Sequence, residues 1–458
     1  MLTQRYERLV RESFGAVFAQ ERSVRRAVEH ALAMPCAMGR RTISRTICAL
    51  DRQHLDWSAE YKLYSRSPWE ADLLFDPVLE DYLARFPGAS VAVALDDTKM
   101  PKSGRKIPGA SWQRDPMSPP FHTNLLYSLR FLQASLLFPL WRLGDHSTRA
   151  IPAQFRDVPV VKKPGKRASD EERAAWREAR KAQNLSVHAV ESLRSLRAGL
   201  DRLGAGARRL LAALDGSFCN RTVFRAALER TDLMARCRKD ARLCRPAPPG
   251  GRRLYDERKF TPEEVRRDET IPWKTVRVHY GGAWREVRYK ELTGVLWQRG
   301  SGVRPLRFLV FAPQPYKSSP NGPTNYHEAA YYLSTDLTSP AAVLAQAAFD
   351  RWQIEVNHRE EKQGLGVGQA QVRSPRSVER HPAFAVAVYS LLHLAGLQEY
   401  GPARTADYVA LPKWRRNARR PSYLDLASLL RKETQEMASL SGSPPPVSTP
   451  NTVLYAYT

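Results

Sequence analysis

Two short apolar runs in this chain each end in acid. Val91-Ala92-Val93-Ala94-Leu95 passes directly into Asp96-Asp97, and Arg209 to Leu214 passes into Asp215-Gly216. Apolar runs of this length, bounded by turn residues such as Pro87-Gly88, are buried strands. A carboxylate at the end of a buried strand is expensive unless something neutralises it. Hard divalent cations do this, and Mg²⁺ favours carboxylate oxygens. The plainer reading is that both acids open turns, as Asp-Gly commonly does. Asp96 and Asp97 remain alternatives for the first acid, since both stand at the end of the run.

A third acid lies in a strong helix. Ser339-Pro340 supplies an N-cap and a proline at the first helical position, the helix spans Ala341 to Gln363, and Gly364 is its stop. Arg351, Glu355, His358 or Arg359, and Lys362 fall on one helical face. Ala341 to Phe349 is apolar except for Gln346, so the helix is packed and its charged strip faces a cleft. Three carboxylates from separated positions can hold two Mg²⁺ ions, one activating a nucleophile and one stabilising the leaving oxygen of in-line phosphoryl transfer. The competing reading is a surface helix with an Arg351–Glu355 pair worth about 0.3 kcal/mol.

The charge balance points to the substrate. Lys plus Arg is 72 and Asp plus Glu is 47, for a net charge of +25. A chain this basic fits a polyanion, nucleic acid before a membrane. The apolar stretch from Leu125 to Trp141 is broken by Arg130 and Gln133, and no 18-residue apolar run exists. The N-terminus lacks the apolar segment of a secretory signal. The five cysteines, Cys36, Cys48, Cys219, Cys237 and Cys244, make no CxxC pair. A reducing cytoplasm without structural zinc is expected.

Elsewhere the pattern predicts helices over residues 1–88. Among them are a short helix through Ile43, Ile47 and Leu50, flanked by Arg40, Arg41 and Arg45, a turn near Asp51 to Asp56, and a second helix from Ser58 to Tyr64. Two short helices, a turn and a basic face suit a helix-turn-helix, or else a plain bundle with solvated arginines. A loop is expected from Lys99 to Pro120, two strands over His122 to Phe138, a charged helical stretch from Ser169 to Arg202 with a capping box at its start, and a helix from Arg221 to Arg242. Strand-like runs then follow at Lys274 to Tyr280, Trp284 to Trp297, Leu306 to Phe311 and Ala329 to Leu333, and apolar helices continue to Leu397. Basic clusters follow both aspartates: Lys99, Lys102, Arg105 and Lys106, then Arg236, Arg238, Lys239 and Arg242. With Trp112, Trp297 and Trp414 they supply phosphate contacts and stacking platforms. A third cluster, Lys413 to Arg420, precedes a Pro/Ser-rich tail from Ser441 to Pro450.

Arg351-Trp352-Gln353-Ile354-Glu355, with Lys362-Gln363 and Leu365-Gly366, resembles the signature of bacterial insertion-sequence transposases of the DDE type. The resemblance is to the superfamily named after insertion sequence 4, and within it to the branch named after insertion sequence 701. That signature runs Tyr-(2)-Arg-(3)-Glu-(6)-Lys; Arg351, Glu355 and Lys362 match, while Ala348 stands at the Tyr position with Phe349 as a neighbouring aromatic. Asp96-Asp97-Thr98-Lys99-Met100-Pro101-Lys102-Ser103-Gly104 resembles the first-Asp motif and Asp215-Gly216-Ser217-Phe218 the second. Arg40-Arg41-Thr42 and Arg420-Pro421-Ser422-Tyr423 are similar to segments of the same branch.

The resemblance implies an α/β fold: an RNase H-like catalytic core, a mixed sheet flanked by helices, interrupted by a β-rich insertion, with a helical N-terminal DNA-binding domain and a helical C-terminal segment. The corresponding divisions are 1–88, 89–244, 245–338, 339–400 and 401–458. It implies Asp96 (Asp97 the alternative), Asp215 and Glu355 as catalytic metal ligands for Mg²⁺, with Mn²⁺ as a substitute. DNA contacts are implied for Arg351, Lys362, Arg359, His358, Arg40, Arg41, Arg45 and Lys102. The implied activity is cut-and-paste transposition on double-stranded DNA, through a hairpin at the transposon end and strand transfer, by a homodimer at the bacterial nucleoid in the cytoplasm. A non-catalytic DNA-binding regulator derived from a transposase and a stand-alone RNase H-like nuclease are the competing classes.

Overall fold

The computed structural model of the chain describes residues 1–441 apart from 120, 145, 320, 321, 416 and 417. Arg416 of the third basic cluster, Pro120 at the end of the expected loop, and nearly all of the Pro/Ser-rich tail lie outside the described residues. The first five helices are α1 (Leu2–Val17), α2 (Glu21–Cys36), α3 (Ile43–Ala49), α4 (Ser58–Ser65) and α5 (Asp76–Arg85). Strands β1 (Ser90–Pro101), β2 (Ser111–Arg114), β3 (Leu125–Phe138) and β4 (Arg149–Asp157) follow. Then come α6 (Asp170–Ala182), α7 (Leu185–Arg202), β5 (Arg209–Leu214), α8 (Arg221–Phe224) and β6 (Thr231–Arg236). The next stretch holds β7 (Leu243–Pro246), β8 (Tyr255–Phe260), α9 (Pro262–Arg267), β9 (Lys274–Tyr280), β10 (Ala283–Trp297), β11 (Gly302–Phe311), β12 (Pro315–Lys317), β13 (Thr324–Tyr326) and β14 (Ala330–Ser334). The chain closes with α10 (Ala341–Asp350), α11 (Gln353–Arg359), a π-helical turn over Glu360–Leu365, α12 (Pro375–Tyr400) and α13 (Tyr423–Ser441).

One large mixed sheet organises these elements. Its path is β2-β3-β1-β5-β6-β14-β11-β10-β7-β8, with β4 beside β3 and β9 beside β10. β1, β3 and β4 form an antiparallel meander, while β5 is parallel to β1 and β6 parallel to β5. The run Val91–Leu95 forms a strand because it is apolar towards both faces. Ala94 packs with Leu137, Ala150 and Ile354 of α11, whereas Val91, Val93 and Leu95 belong to the main core on the other side. α12 is buried nearly all round, as expected of a helix enclosed by other elements.

Several expected elements differ. In the segment 245–338, β14 pairs antiparallel with β6, so its strands prolong the central sheet. The stretch His122 to Phe138 holds one long strand, Leu125–Phe138, not two, because β4 covers its second half and β2 its first. The predicted helix from Arg221 to Arg242 stops at Phe224, and Thr231–Arg236 becomes a buried strand between β5 and β14. The expected helical stretch Ser169–Arg202 consists of two helices, α6 opening with the expected capping box at Ser169 and Glu172, and α7 restarting at the Asn184 cap.

The helix through Glu355 is broken after Asp350. Its last turn is π-helical, and Gly366, at φ 73°, ends it in place of Gly364. Gly366 is required there by conformation and by space: a Cβ would lie 2.5 Å from Arg41 Cγ.

The helices of residues 1–88 share one hydrophobic core with α12 and α13. The N-terminal ammonium pairs with Glu399 at 2.6 Å, and the amides of Leu2 and Thr3 donate to Glu433 of α13 at 3.1 and 2.7 Å. An acid from the far end of the chain thus caps α1. Between α3 and α4 the chain spans Leu50–Trp57, longer than the usual turn of a helix-turn-helix. Among the described residues no helix is long and apolar enough to cross a membrane.

Candidate active site

Alternation along β1 separates the two adjacent aspartates. Both lie within the strand, not at its end, because β1 continues to Pro101. Asp96 is two residues beyond Ala94 and so shares the face covered by α11, while Asp97 points to the opposite face. There Asp97 accepts from Arg130 Nε at 2.7 Å. Leu95 is aligned with Leu214 in the parallel β1–β5 pair, so the next residues, Asp96 and Asp215, come side by side. Asp215 also caps the short turn after β5, accepting from the amide of Ser217 at 3.4 Å.

Arg351, at the break between α10 and α11, joins the acids. Its Nη2 donates to Glu355 Oε1 at 3.0 Å, and its Nη1 lies 3.8 Å from Asp96 Oδ2. Burial works against its charge, but Asp215, Asp96 and Glu355 outweigh it and its pKa rises. Asp96 is pushed up to about 7, mainly by burial, against the pull of Arg351 and with the repulsion of Asp215 and Asp97. Burial also raises Glu355, with Arg351 opposing.

Three carboxylates from β1, the end of β5 and α11 therefore face a single guanidinium. As placed, among the described residues, no three His, Cys, Asp or Glu side chains form a ready metal cluster. The hard oxygen donors nevertheless suit Mg²⁺ or Mn²⁺, and a divalent cation would offset both the burial and the lesser like-charge repulsion that raise Asp96.

The remaining expected contacts divide. Lys362 is half-buried, its pKa lowered mainly by burial, with Glu361, Asp97 and Asp96 as the acids it faces. Arg359, Arg40 and Arg45 are exposed. His358 departs from the expected cationic contact: enclosed and beside Lys362 and Arg351, it is pushed down to about 3 and is neutral at pH 7. Lys102 departs too. It is buried, and its ammonium donates to the carbonyls of Gly368 and Ala370, so it clasps the loop after the π turn and does not reach outward. Arg41 holds the same loop from the other side: its side chain packs on Gly366 and its amide donates to Gln369 Oε1 at 2.7 Å.

At the expected Tyr position, Ala348 packs towards the sheet. Phe349 stacks on Tyr280 at 4.7 Å, which commits its ring to the core.

The sequence reading missed three residues. Glu361 is fully buried, accepts from Gln133 Nε2 at 3.0 Å, and burial pushes it up to about 8. Gln133 stands directly opposite Asp96 in the β1–β3 pair. Tyr332 of β14 brings a buried phenol into electrostatic reach of Arg351, Arg236 and Asp215. A buried Glu beside a Lys carries no sequence signal, and Tyr332 reads as strand packing. Beside Gly216 a cavity of about 650 Å³ is lined by Arg236, Arg238, Lys239, Arg242, Arg299 and Trp297, bringing the second basic cluster next to Asp215.

A family model described as DDE superfamily endonuclease matches residues 14–302, more than half of the chain. The matched span contains Asp96 and Asp215 and ends before Glu355. No curated protein matches the chain.

Proposed function

The chain belongs to the DDE superfamily endonucleases, and from that premise we propose that it is a cut-and-paste DNA transposase of the insertion-sequence-4 superfamily, in the branch of insertion sequence 701. The observation that carries the proposal is the position of Arg351, with Asp96 and Glu355 at 3.8 and 3.0 Å and Asp215 among the acids that raise its pKa. The meander β1-β3-β4 followed by parallel β5 and β6 supports the reading of residues 89–244 and 339–400 as an RNase H-like core, with 245–338 as its insertion.

In this reading Asp96, Asp215 and Glu355 hold Mg²⁺ or Mn²⁺. Bound there, the ions supply nucleophile activation and stabilisation of the leaving oxygen. Arg351 exchanges its carboxylate partners for a non-bridging phosphate oxygen, for which its planar fork is suited. Lys362 adds positive charge on the side of Asp96 and Asp97, and Arg359 contacts the backbone beyond. Arg236 and Arg242 hold the strand that leaves past Asp215.

Water attacks the phosphorus at the transposon end, the bond to the 3′ oxygen breaks, and a 3′-hydroxyl is freed. That hydroxyl attacks a phosphodiester of the opposite strand, forming a hairpin and releasing the 3′-hydroxyl of the flanking DNA. A second water hydrolyses the hairpin and regenerates the 3′-hydroxyl, which attacks a target phosphodiester and releases a target 3′-hydroxyl. Paired ends call for a homodimer. The site of action is the bacterial cytoplasm, at the nucleoid. The test is cleavage and strand transfer on the terminal inverted repeats that flank the gene. Absence of both in Mg²⁺ and in Mn²⁺, with the ends bound, refutes catalysis and leaves a DNA-binding regulator.

A further inference from the structure

The strand pair β2–β3 carries an apolar tip that the site above does not use. Trp112 on β2, Met117 and Phe121 on the connecting loop, and Leu125 at the start of β3 are 55%, 86%, 91% and 61% exposed. Single exposed apolar side chains are ordinary, but four on one projecting hairpin mark an interaction surface.

The loop is held in shape by its own hydrogen bonds. The Asp115 amide donates to the Asn124 carbonyl at 2.9 Å, Asp115 Oδ1 accepts from the Met117 amide at 2.9 Å, and Ser118 Oγ accepts from the Asn124 amide at 2.9 Å. At its base the Arg105 guanidinium lies over the rings of Trp112 and Tyr127, 5.2 and 5.4 Å from their centroids. The Tyr127 hydroxyl donates to the Arg105 carbonyl at 3.2 Å. The apolar side chains are therefore presented by a preorganised frame.

Charge and position identify the partner. From Lys99 to Leu125 the sequence holds five Lys or Arg residues; Lys102 is buried on backbone carbonyls, and Lys99, Arg105, Lys106 and Arg114 stand against one acid, Asp115. That acid accepts from the Met117 amide, and the stretch keeps a net positive charge. A basic rim around an apolar point fits a polyanion with a stacked apolar interior, which is duplex DNA. The hairpin also grows from the strand that flanks the site: Gln133 faces Asp96, and Leu125 lies eight residues away along β3. At about 3.4 Å per residue this is roughly 27 Å, or about eight base pairs of duplex.

We propose that this hairpin is a wedge, with Met117 and Phe121 entering between base pairs about eight base pairs from the phosphate at Asp96 while Lys106 and Arg114 hold the backbone beside them. The proposal rests on the reading of the protein as a DNA-acting enzyme. Inserting a side chain requires unstacking a base step, so DNA already unstacked binds more tightly.

The test is an anisotropy titration of the full chain against a matched duplex of arbitrary sequence and the same duplex with a central two-nucleotide bulge. The wild type should prefer the bulged duplex by about tenfold. Met117→Ser with Phe121→Ser, both at exposed positions, should abolish that preference while matched-duplex affinity stays within about twofold. Lys106→Ala with Arg114→Ala should weaken both duplexes alike and flatten the salt dependence. Equal wild-type affinities, or a preference that survives the double serine change, overturn the wedge. So does a loss of dimer mass in that variant with the preference intact, which makes the tip a contact between copies. Failure of the wild type to bind either duplex at low salt overturns the DNA reading itself, which separates the two outcomes.

Discussion

Arg351 Nη2 donates to Glu355 Oε1 at 3.0 Å, one helical turn along, while the same guanidinium faces Asp96 from 3.8 Å. A cation placed between acids of two different elements holds the site together electrostatically before any substrate arrives. Arg351→Ala leaves Asp96, Asp215 and Glu355 facing one another without that charge. The melting temperature should fall by roughly 2–5 °C in EDTA, because a partner of a largely buried charge group is lost. Mn²⁺ should recover most of the fall. Melting curves with and without Mn²⁺ check this, and an equal fall in both refutes the convergence of the three acids.

Asp96→Asn, Asp215→Asn and Glu355→Gln should each reduce end cleavage by about a thousandfold or more, since the amides keep shape and lose the charge that holds the metal. DNA binding should be kept or strengthened as negative charge is removed. Asp97→Asn loses its pair with Arg130 on the other face and should be milder. Parallel cleavage and binding assays decide; an inactive Asp97→Asn beside an active Asp96→Asn reverses the assignment.

Glu361 sets a pH dependence of stability. Burial raises its folded-state pKa to about 8, above the unfolded value, so the folded form holds a proton that the unfolded form has released. The stability it contributes is fully present below about pH 4.5 and is lost as pH rises through about 8. Glu361→Gln, which stays neutral, should match the wild type in melting temperature near pH 4.5 and exceed it by about 2–4 °C at pH 8.5. A difference that does not grow with pH refutes this.

Lys102 binds carbonyls, not phosphates. Lys102→Met should cost about 1–3 kcal/mol by leaving the Gly368 and Ala370 carbonyls without their donor. The slope of log affinity for DNA against log salt should not change. Arg40→Ala with Arg45→Ala, both exposed, should lower that slope by about two with stability unaltered. Denaturant unfolding and salt titrations separate the two cases.

Residues 1–88 should not fold by themselves. Tyr6, Phe14 and Tyr64 are buried in the core that also holds Phe384, and Glu433 caps α1 from α13. A fragment ending at residue 88 should show weak helicity and no cooperative melt by circular dichroism. A cooperative transition like that of the full chain refutes it.

The chain's local chemistry is legible in its residues. The apolar run before Asp96, the Ser169 capping box, the turn at Asp215 and the strands at Lys274–Tyr280 and Leu306–Phe311 are found where the pattern places them, because period, caps and turn residues act over a few positions. The pairing of Arg351 with Glu355 is of the same kind, four residues apart in sequence, although Arg351 stands at the break just before α11. What partners supply from a distance is not legible in this way. Lys102 and Arg41 look like any basic residues until the loop 366–371 folds against them, and His358 loses its charge mainly by desolvation, with Lys362 and Arg351 adding repulsion. The segment 245–338 joins the main sheet because β6 offers β14 an unpaired edge. Asp96 and Asp97 differ only by the face of β1 they occupy, which acquires meaning once α11 covers one side. A side chain's charge and reach depend on burial and on neighbours brought from elsewhere in the chain, and those are set when the elements pack.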